Sequence, residues 1–590
     1  MQVAIHDLER GMERPLRWLV GVLVAGGMAS IVAEYGFFLS RPVAALVHVV
    51  EGGVIWGFLS IFLVRLLLMR HRWAFLVGHK VQSILMTLLV LDLLAFQTPQ
   101  GRHWLAVYFH LVDVEQITVI YVAFIQGFIL VFSVLEGAYS SRALSTWRIR
   151  PAQTLVLSFV ILITLGSLLL LLPRATIQPG SLSILNAVFT ATSAVCVTGL
   201  IVVDTATYFT PLGQGIILGL CQLGGLGIIT FATVFGMMMR GGMGMREKAL
   251  LQDFVSSKQF GEISTTVRRI VWSTLFIEAL GAVSLYHALG EALPAPATRA
   301  WFAVFHAVSA FCNAGFSTFS GSLSGPGTAM HPGVNLTVIV LIVLGGLGFS
   351  VLWEGLHWVL GALRGTMRRL SVQSRLVLIS TAVLIVSGAF LFALLEAHGV
   401  LGGRPEGEQV MGALFQSITA RTAGFNTLAI SRLALPATLL LMVLMFIGAS
   451  PGSTGGGLKT TTVAVLFLTT VATIRGKARV EFSRRTLPWK VINQAYVVFF
   501  FAVGVVLVSL LVLSITEGQP FLDLAFEEIS AFATVGLSRG ITPFLSTAGK
   551  MVIIMSMFVG RVGGLTLGVA LARQVSTTAY EYPTEAVMVG

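Results

Sequence analysis

A short glycine-bearing stretch occurs four times in this chain, and each copy lies between two long apolar runs. The copies, called here glycine segments 1 to 4, read SAVCVTGL at 193–200, SAFCNAGF at 309–316, ITARTAGF at 418–425 and SAFATVGL at 530–537. The glycine at the seventh place of each copy recurs about every 110 residues. A repeat of fixed period determines the architecture, because each period is one structural unit. The sequence therefore predicts four copies of one unit, each with a glycine segment between two apolar spans.

The apolar runs are long enough to cross a membrane, which takes about 20 apolar residues per helix. Of the 590 residues, 56% are hydrophobic and 11% are charged, and this excludes a soluble globular protein. We predict an all-α polytopic membrane protein with four pseudo-fourfold repeats around a central pore, preceded by about four extra transmembrane helices. The twelve predicted spans are 17–39, 43–69, 75–96, 114–137, 153–173, 212–239, 270–290, 333–361, 376–398, 435–474, 491–516 and 547–573. The predicted domains are an N-terminal extra region at 1–150 and repeats at 151–245, 246–369, 370–484 and 485–590.

The basic residues fall mainly between the repeats. They cluster at 70–72, 142–150, 240–269, 364–375 and 475–485. Lysine and arginine collect in cytoplasmic loops, so both termini are predicted to face the cytoplasm from the cell inner membrane. The same rule accounts for the net charge of +12 without any nucleic acid as a partner. The three cysteines show neither disulfide nor metal-ligand spacing, and we expect no bound cofactor.

A run of about a dozen residues precedes each segment glycine and is too short to span a membrane. Examples are 181–194, which starts at Ser181, and 521–533, with Asp523 near its start. We interpret these runs as re-entrant half-helices. Glycine allows backbone conformations that turn carbonyl oxygens inward, and a ring of such oxygens can replace the hydration shell of a monovalent cation. The alternative, four plain turn glycines, does not explain why all four occupy the same frame.

Several motifs resemble those of the Trk/Ktr/HKT superfamily of potassium transporters. They are RPAQTLVLSF, CNAGF, RTAGF, TVGLS, SPGSTGGGLKTTT, GRVGGLTLG and YPTEAVMVG, and the last three are most similar to the KtrB membrane subunit. The resemblance implies K⁺ transport with Na⁺ as a modulator, a homodimer in membrane lipid, and a cytosolic nucleotide-binding ring of the KtrA or TrkA type. It also implies that glycine in all four filters goes with K⁺ conduction, whereas serine in the first goes with Na⁺.

By position, the resemblance assigns the selectivity filter to three consecutive residues of each glycine segment. They are Val197, Thr198 and Gly199; Asn313, Ala314 and Gly315; Thr422, Ala423 and Gly424; and Thr534, Val535 and Gly536. The carbonyl groups of the first two residues of each set are expected to face the ion.

The predicted span 435–474 is forty residues long, which as one helix would be about twice the hydrocarbon thickness. We predict that it breaks at SPGSTGGG, residues 450–457, and the resemblance implies that this loop is the gate. The predicted gate residues are Ser453, Gly455, Gly456, Gly457, Lys459 and Arg561. A phosphate-binding loop is the alternative for GSTGGGLKT, but Leu458 separates the glycine from the lysine that this motif requires next to it. For Arg561, in the last predicted span, the alternative is a structural arginine away from the pore.

Further charged residues occur within or beside the apolar runs. Arg421 lies inside glycine segment 3, and we predict that it forms a buried brace behind the filter with Glu527 and Glu528 of the fourth half-helix. Glu51, Glu136, Glu278 and Glu354 are expected to be paired helix-end or interhelical groups, with His48 on the same helix face as Glu51.

The function predicted is K⁺ uptake through a gated, potassium-selective pore. One alternative is a Na⁺-conducting member similar to HKT proteins, against which Gly199 argues by resemblance. Another is a substrate-coupled secondary transporter, but those have inverted repeats, whereas basic clusters recur here in one orientation at every repeat. A membrane enzyme is a third, and no cluster of catalytic side chains within a span supports it.

Overall fold

The computed structural model describes residues 19–23, 25–68, 151–238, 263–290, 292–325, 327–366, 369–571 and 585. The predicted spans 75–96 and 114–137 lie outside the described residues, as do the basic clusters at 70–72 and 142–150 and most of the tail motif YPTEAVMVG. The described chain divides into two compact units. One contains residues 19–68 together with Leu172–Arg174, and the other contains the remaining described residues.

Two apolar helices, Leu19–Gly36 and Arg41–Leu68, form most of the described part of the first unit. Glycines allow the helices to approach closely: a Cβ atom at Gly27 would lie 3.3 Å from Val54, and one at Gly57 would lie 2.7 Å from Leu23. Arg174 holds the end of the first helix, since its side chain donates to the Glu34 carbonyl at 2.9 Å and its N–H to the Gly36 carbonyl at 3.1 Å.

The second unit repeats one order of elements four times: an outer span, a half-helix, a glycine segment and an inner span. Repeat 1 has Pro151–Leu170, Ile184–Val195 and Pro211–Met238, with the short turn Thr205–Tyr208 before the last. Repeat 2 has Ile263–Ala288, Pro296–Phe311, Pro332–Leu347 and Phe349–Leu363. Repeat 3 has Val372–Glu396, Glu406–Thr419, the 3₁₀ turn Ile430–Arg432, Leu435–Phe446 and Thr460–Ile474. Repeat 4 has Trp489–Thr516, Phe521–Phe532, the 3₁₀ turn Thr542–Phe544, Thr547–Val562 and Gly564–Leu571.

A small antiparallel hairpin separates repeats 3 and 4. Its strands are Glu481–Phe482 and Arg485–Thr486, with Glu481 opposite Thr486 and Phe482 opposite Arg485. The described chain is otherwise helical, which confirms the predicted all-α class.

The inner spans of repeats 2, 3 and 4 are broken. The break predicted within 435–474 is confirmed, because the helices there end at Phe446 and resume at Thr460. The predicted spans 333–361 and 547–573 are not continuous helices: Gly348, at φ +90°, divides the first into helices bent by 107°, and Gly563, at φ +85°, divides the second. Few side chains adopt such angles, so these glycines end the helices locally.

The half-helices are 12 to 16 residues long, or about 18–24 Å, and are too short to cross the hydrocarbon. The first begins at Ile184, three residues after the predicted Ser181, because Ser183 is its cap and accepts from the Asn186 N–H at 3.3 Å. Each half-helix carries a fully buried phenylalanine that anchors it in the core. These are Phe189, Phe305, Phe415 and Phe526.

In the described part of the chain, five helices are long and apolar enough to cross a membrane. They are Leu19–Gly36, Arg41–Val64, Arg268–Ala288, Val372–Glu396 and Trp489–Thr516, and the bent pair of repeat 2 counts as a sixth if it is one span. The protein is therefore a multi-pass membrane protein.

Candidate ion pathway

The backbone of the four glycine segments repeats one unusual conformation. In each segment the glycine and the residue two places before it have positive φ, whereas the residue between them does not. The non-glycine members are Val197 at 58°, Asn313 at 59°, Thr422 at 68° and Thr534 at 52°. The glycines are Gly199 at 92°, Gly315 at 69°, Gly424 at 76° and Gly536 at 92°. Non-glycine residues adopt positive φ only at a cost, so the fourfold recurrence indicates one shared constraint on the backbone.

The four glycine segments meet in a closed ring. A Cβ atom at Gly199 would lie 2.5 Å from the Ala314 carbonyl oxygen, and one at Gly315 would lie 2.8 Å from that of Ala423. The same kind of contact joins segment 3 to segment 4 and segment 4 to segment 1. In these two contacts Gly424 faces the Val535 oxygen and Gly536 faces the Thr198 oxygen. Each glycine therefore leaves room for a carbonyl group of the next segment, and the repeats follow one another in chain order around one axis.

Hydroxyl groups at the ends of the half-helices hold the segments in place. Ser193 and Ser530 accept hydrogen bonds from the N–H groups of Gly199 and Gly536, at 3.0 and 3.1 Å. In segment 2 the Ser309 hydroxyl instead donates to the Phe316 carbonyl at 2.7 Å. The sequence analysis did not assign these serines a role, although serine opens three of the four segments.

Glycine segment 3 differs from the others by a shift of one residue. Its first residue is Ile418, and the equivalent hydroxyl belongs to Thr419, which donates to the Phe425 carbonyl at 2.6 Å. The half-helix also ends at Thr419, five residues before Gly424, whereas the other half-helices end four residues before their glycine. An alignment of the four segments by the glycine alone does not reveal this shift.

Three inner spans bring a glycine against the end of their half-helix. Gly224, Gly345 and Gly560 leave no room for a Cβ atom, because the carbonyl oxygens of Val195, Phe311 and Phe532 lie there. These oxygens belong to the last residues of the half-helices, whose C-terminal ends carry partial negative charge. The half-helix ends are thus held directly behind the ring by backbone packing.

The loop at residues 447–459 joins the two halves of the broken inner span of repeat 3. Gly456 N–H donates to the Thr534 hydroxyl at 3.1 Å, which joins the loop to glycine segment 4. The Thr454 hydroxyl donates to the carbonyls of Phe311 and Gly345 at 3.1 and 3.2 Å. The Lys459 ammonium donates to the Gly455 carbonyl at 2.7 Å. The loop therefore lies against the ring and is held by its own lysine.

The loop also packs into the break of the repeat 2 inner span. Phe349 N–H donates to the Gly452 carbonyl at 3.1 Å, and a Cβ atom at Gly348 would lie 2.5 Å from the Pro451 oxygen. The Ser453 hydroxyl, one of the predicted gate residues, donates to the Ser450 carbonyl at 2.7 Å. A phosphate-binding loop follows a strand, whereas the described loop 447–459 follows the helix Leu435–Phe446. The structure therefore does not support the alternative of a phosphate-binding loop at GSTGGGLKT.

Arg561 connects the loop to another repeat. Its guanidinium donates to the Thr454 carbonyl and, at 2.6 Å, to the Gly224 carbonyl of the repeat 1 inner span. The side chain is 2% exposed, and its Nε has no hydrogen-bond partner in the part of the chain that the structure describes. A single arginine therefore joins repeats 1, 3 and 4 beside the ring.

The predicted pairing of Arg421 with Glu527 and Glu528 is wrong. Among the described residues no ion pair joins them, and the Arg421 guanidinium donates to the Thr381 hydroxyl at 3.4 Å. Glu528 instead accepts from the Ser556 hydroxyl at 2.7 Å. Each of these groups therefore contacts a span of its own repeat: Arg421 contacts the outer span of repeat 3, and Glu528 contacts the inner span of repeat 4.

Glu527 supports the exit from glycine segment 4. It accepts from the Ser538 hydroxyl at 2.5 Å, the Arg539 N–H at 3.0 Å and the Thr542 hydroxyl at 2.8 Å. The Arg539 side chain in turn pairs with Asp523, at the start of the same half-helix, at 2.5 Å. These contacts fix the chain that leaves the ring, and the sequence analysis gave Arg539 no role.

The other charged groups that the structure describes are paired, as predicted. Gln222 donates to Glu278 at 3.1 Å between the repeat 1 and repeat 2 spans. Glu354 accepts from the Ser371 N–H at 2.5 Å and caps the following helix. His48 and Glu51 lie 3.4 Å apart on one helix face.

A multi-pass chain whose four repeats close a ring of backbone carbonyl groups is typical of cation-conducting membrane proteins. The chain belongs to the TrkH family of cation transport proteins, whose family model, described as "TrkH: Cation transport protein", matches residues 120–580. This membership confirms the resemblance found in the motifs and places the chain among transport proteins, not enzymes.

Similar proteins cover most of the chain. It is 38% identical over 443 residues to the Ktr system potassium uptake protein B of Vibrio alginolyticus, a match that covers 74% of this chain and 94% of the relative. It is 35% identical over 454 residues to the potassium/sodium uptake protein NtpJ of Enterococcus hirae, covering 75% and 98%. The crystal structure of the potassium transporter TrkH from Vibrio parahaemolyticus matches with a TM-score of 0.61 at 21% identity, covering 82% of this chain and 97% of that one. At that identity the structural match shows the fold alone.

Proposed function

We propose that this chain is the ion-translocating subunit of a K⁺ uptake system and conducts K⁺ through a gated, selective pore. The observation that carries the proposal is the closed ring, in which each glycine packs against a carbonyl oxygen of the next segment. Carbonyl rings of this kind bind a dehydrated monovalent cation without a charged side chain. The names of the potassium uptake relatives support the same cargo.

The proposed filter consists of the three residues predicted in each segment. Thr198, Ala314, Ala423 and Val535 supply the carbonyl oxygens that contact the neighbouring glycines. The residue before each of these has positive φ in all four segments, and its carbonyl group is proposed to face the same axis. Na⁺ is the second candidate cargo or modulator, because one relative at 35% identity is named a potassium/sodium uptake protein.

The proposed gate is the loop 447–459 with Arg561. The loop is rich in glycine, touches the ring through Gly456, and is held by one guanidinium that also reaches Gly224. A fixed positive charge beside the ring opposes a passing cation, and low dielectric strengthens that opposition. Release of the Thr454 carbonyl from Arg561 frees the loop to move away from the axis.

The proposed filter support differs from residue to residue. Glu527 accepts three hydrogen bonds from the chain that leaves segment 4 and holds that exit. Arg421 and Glu528 act separately, each on the spans of its own repeat.

The proposed setting is the cell inner membrane, with both termini in the cytoplasm. The proposed assembly is a homodimer regulated by a cytosolic nucleotide-binding ring of the KtrA or TrkA type. The naming of several relatives as components of Ktr or Trk systems is consistent with further subunits. The repeat boundaries proposed for this chain are 151–245, 246–369, 370–484 and 485–590.

Growth rescue tests the cargo. A K⁺-uptake-deficient cell expressing this chain, with and without a co-expressed ring subunit, should grow on low K⁺, and a Gly424→Asp variant should not. That variant places a side chain where the Val535 carbonyl lies. Failure of the well-expressed wild-type chain to rescue growth in either setting, together with Na⁺ but not rubidium flux in proteoliposomes, would make Na⁺ the cargo.

Radioactive rubidium uptake into proteoliposomes tests the gate. Arg561→Ala and deletion of 453–457 should raise flux and weaken its dependence on the ring subunit, while selectivity survives. Arg485→Ala, an exposed arginine of the hairpin, is the matched control. If flux falls or stays equal in folded, dimeric variants, the gate is elsewhere; if selectivity is lost, the loop supports the filter and does not gate it.

A further inference from the structure

Three side chains of metal-ligating type meet between the two N-terminal helices. Glu34 lies near the end of helix Leu19–Gly36, and His48 and Glu51 lie on helix Arg41–Leu68. His48 Nδ1 is 3.4 Å from Glu51 Oε2 and 3.9 Å from Glu34 Oε1. One ligand atom from each residue lies within 4.8 Å of the other two. The spacing of His48 and Glu51 places both on one helix face, toward the helix that carries Glu34.

A second observation is the incomplete bonding of Glu51. The residue is 8% exposed, and its Oε1 has no hydrogen-bond partner among the described residues. A buried carboxylate oxygen without a partner is costly, because it has lost water and gained nothing in return. The ion pairs of both glutamates in the described chain share the one imidazole of His48, which can neutralise one carboxylate and not two. The cluster therefore offers two carboxylates to one imidazole.

The distances suit a tetrahedral ion. Bonds of about 2.0–2.2 Å to imidazole nitrogen and carboxylate oxygen place neighbouring ligand atoms of a tetrahedron roughly 3.4 Å apart. The separations of 3.4 and 3.9 Å are close to that value without any rearrangement of the helices. Calcium and magnesium prefer oxygen ligands alone, whereas imidazole with carboxylate suits first-row transition metals.

We propose that Glu34, His48 and Glu51 bind one divalent transition-metal ion, with a fourth position open to water. The ion adds positive charge beside the two carboxylates, one of which has an oxygen, Glu51 Oε1, without a hydrogen-bond partner among the described residues. Because the ligands come from both helices, bound metal joins the helices of the N-terminal unit. None of the three residues belongs to the glycine segments or the proposed gate, so the inference does not rest on the proposed K⁺ function.

Zn²⁺ titration of the full-length, metal-stripped protein in detergent, followed by calorimetry, tests the site. The wild-type chain should bind one Zn²⁺ with saturation, and Glu51→Gln and His48→Gln should each weaken binding by about 100-fold or more, since even residues behind the ligands change affinity by 10–100-fold. Glu481→Gln, an exposed carboxylate of the hairpin, is the matched control and should bind as the wild type does.

Cobalt substitution provides a measurement that does not depend on the variants folding. Co²⁺ bound to the wild-type protein should show the intense visible absorption of a four-coordinate nitrogen and oxygen site, and Zn²⁺ should displace it. The proposal is overturned if the wild type shows no saturable Zn²⁺ binding, if Co²⁺ gives only the weak spectrum of the hydrated ion, or if Glu51→Gln binds Zn²⁺ as tightly as Glu481→Gln.

Discussion

Replacement of Gly199 by serine should reduce the preference for K⁺ over Na⁺, because the new Cβ atom displaces a filter carbonyl. Gly199 has φ +92°, beyond the left-handed region near +50 to +70° that side chains tolerate at a cost. The left-handed conformation alone costs roughly 1–2 kcal/mol for a residue with a side chain. The Cβ atom would also lie 2.5 Å from the Ala314 oxygen, whereas carbon and oxygen in contact lie about 3.3 Å apart.

The carbonyl of Ala314 must therefore move by about 0.8 Å, the difference between these two distances, or the backbone of segment 1 must move instead. Either movement spoils the equal spacing of the ring. If 1–2 kcal/mol of strain is released at the expense of K⁺ coordination, the K⁺ over Na⁺ permeability ratio falls by about tenfold, since 1.4 kcal/mol corresponds to a factor of ten.

The assay is the reversal potential of proteoliposomes with opposed K⁺ and Na⁺ gradients. Gly540→Ser is the matched control, because Gly540 has φ +95° but no atom within 4 Å of its Cβ position. It should lose similar stability and keep selectivity. An unchanged reversal potential in folded Gly199→Ser protein, or an equal change in Gly540→Ser, would refute the assignment of the ring as the filter.

Three further predictions concern the surroundings of the ring. Glu527→Gln replaces one acceptor oxygen by an amide nitrogen, so it should lower stability by about 1–3 kcal/mol in denaturant unfolding, whereas Glu408→Gln, at a half-exposed side chain, should change little. Arg421→Ala and Glu528→Gln should have additive effects on the free energy of unfolding. A coupling free energy above about 0.5 kcal/mol in the double mutant would contradict their separate contacts. Gly456→Ala should impair rubidium flux, because its methyl group would occupy the position of the Thr534 hydroxyl; normal flux would show that the loop yields there.

Much of the fold could be predicted from local patterns. The glycine spacing, the apolar runs and the short half-helices all depend on residues close in sequence, and the structure places them as the patterns indicate. The breaks at Gly348 and Gly563 could not be predicted, because a single glycine inside an apolar run is also compatible with a continuous helix. At Gly348 a tertiary contact accompanies the break, because the loop 447–459 packs against it, and no local signal indicates such a contact.

The charged side chains show a similar limit at the candidate site. Arg421 and Glu528 belong to repeats 3 and 4, which are neighbours around the ring, as the sequence order indicated. The direction in which each side chain points depends on tertiary packing, and the sequence does not show it. The hydrogen bond from Arg561 to the Gly224 carbonyl joins residues 337 positions apart in the sequence, so local patterns could not predict it. By contrast, a role for the serines that open three glycine segments could be predicted from the sequence. Each serine lies six or seven residues before the N–H or carbonyl group that it binds, and this spacing recurs.

The ring and its surroundings differ in symmetry, and this difference bears on how one chain can both select and gate. Four segments share the same pattern of positive φ, because a small spherical ion requires equivalent ligands from every side. Beside the ring the equivalence ends in the part of the chain that the structure describes: repeat 3 inserts the loop 447–459, and repeat 4 supplies Arg561. A fused chain permits this, since each repeat can change independently. A loop that contacts the ring through Thr534 and is held by one arginine can move without altering the carbonyl contacts between segments, so selectivity and gating can be perturbed separately by mutation.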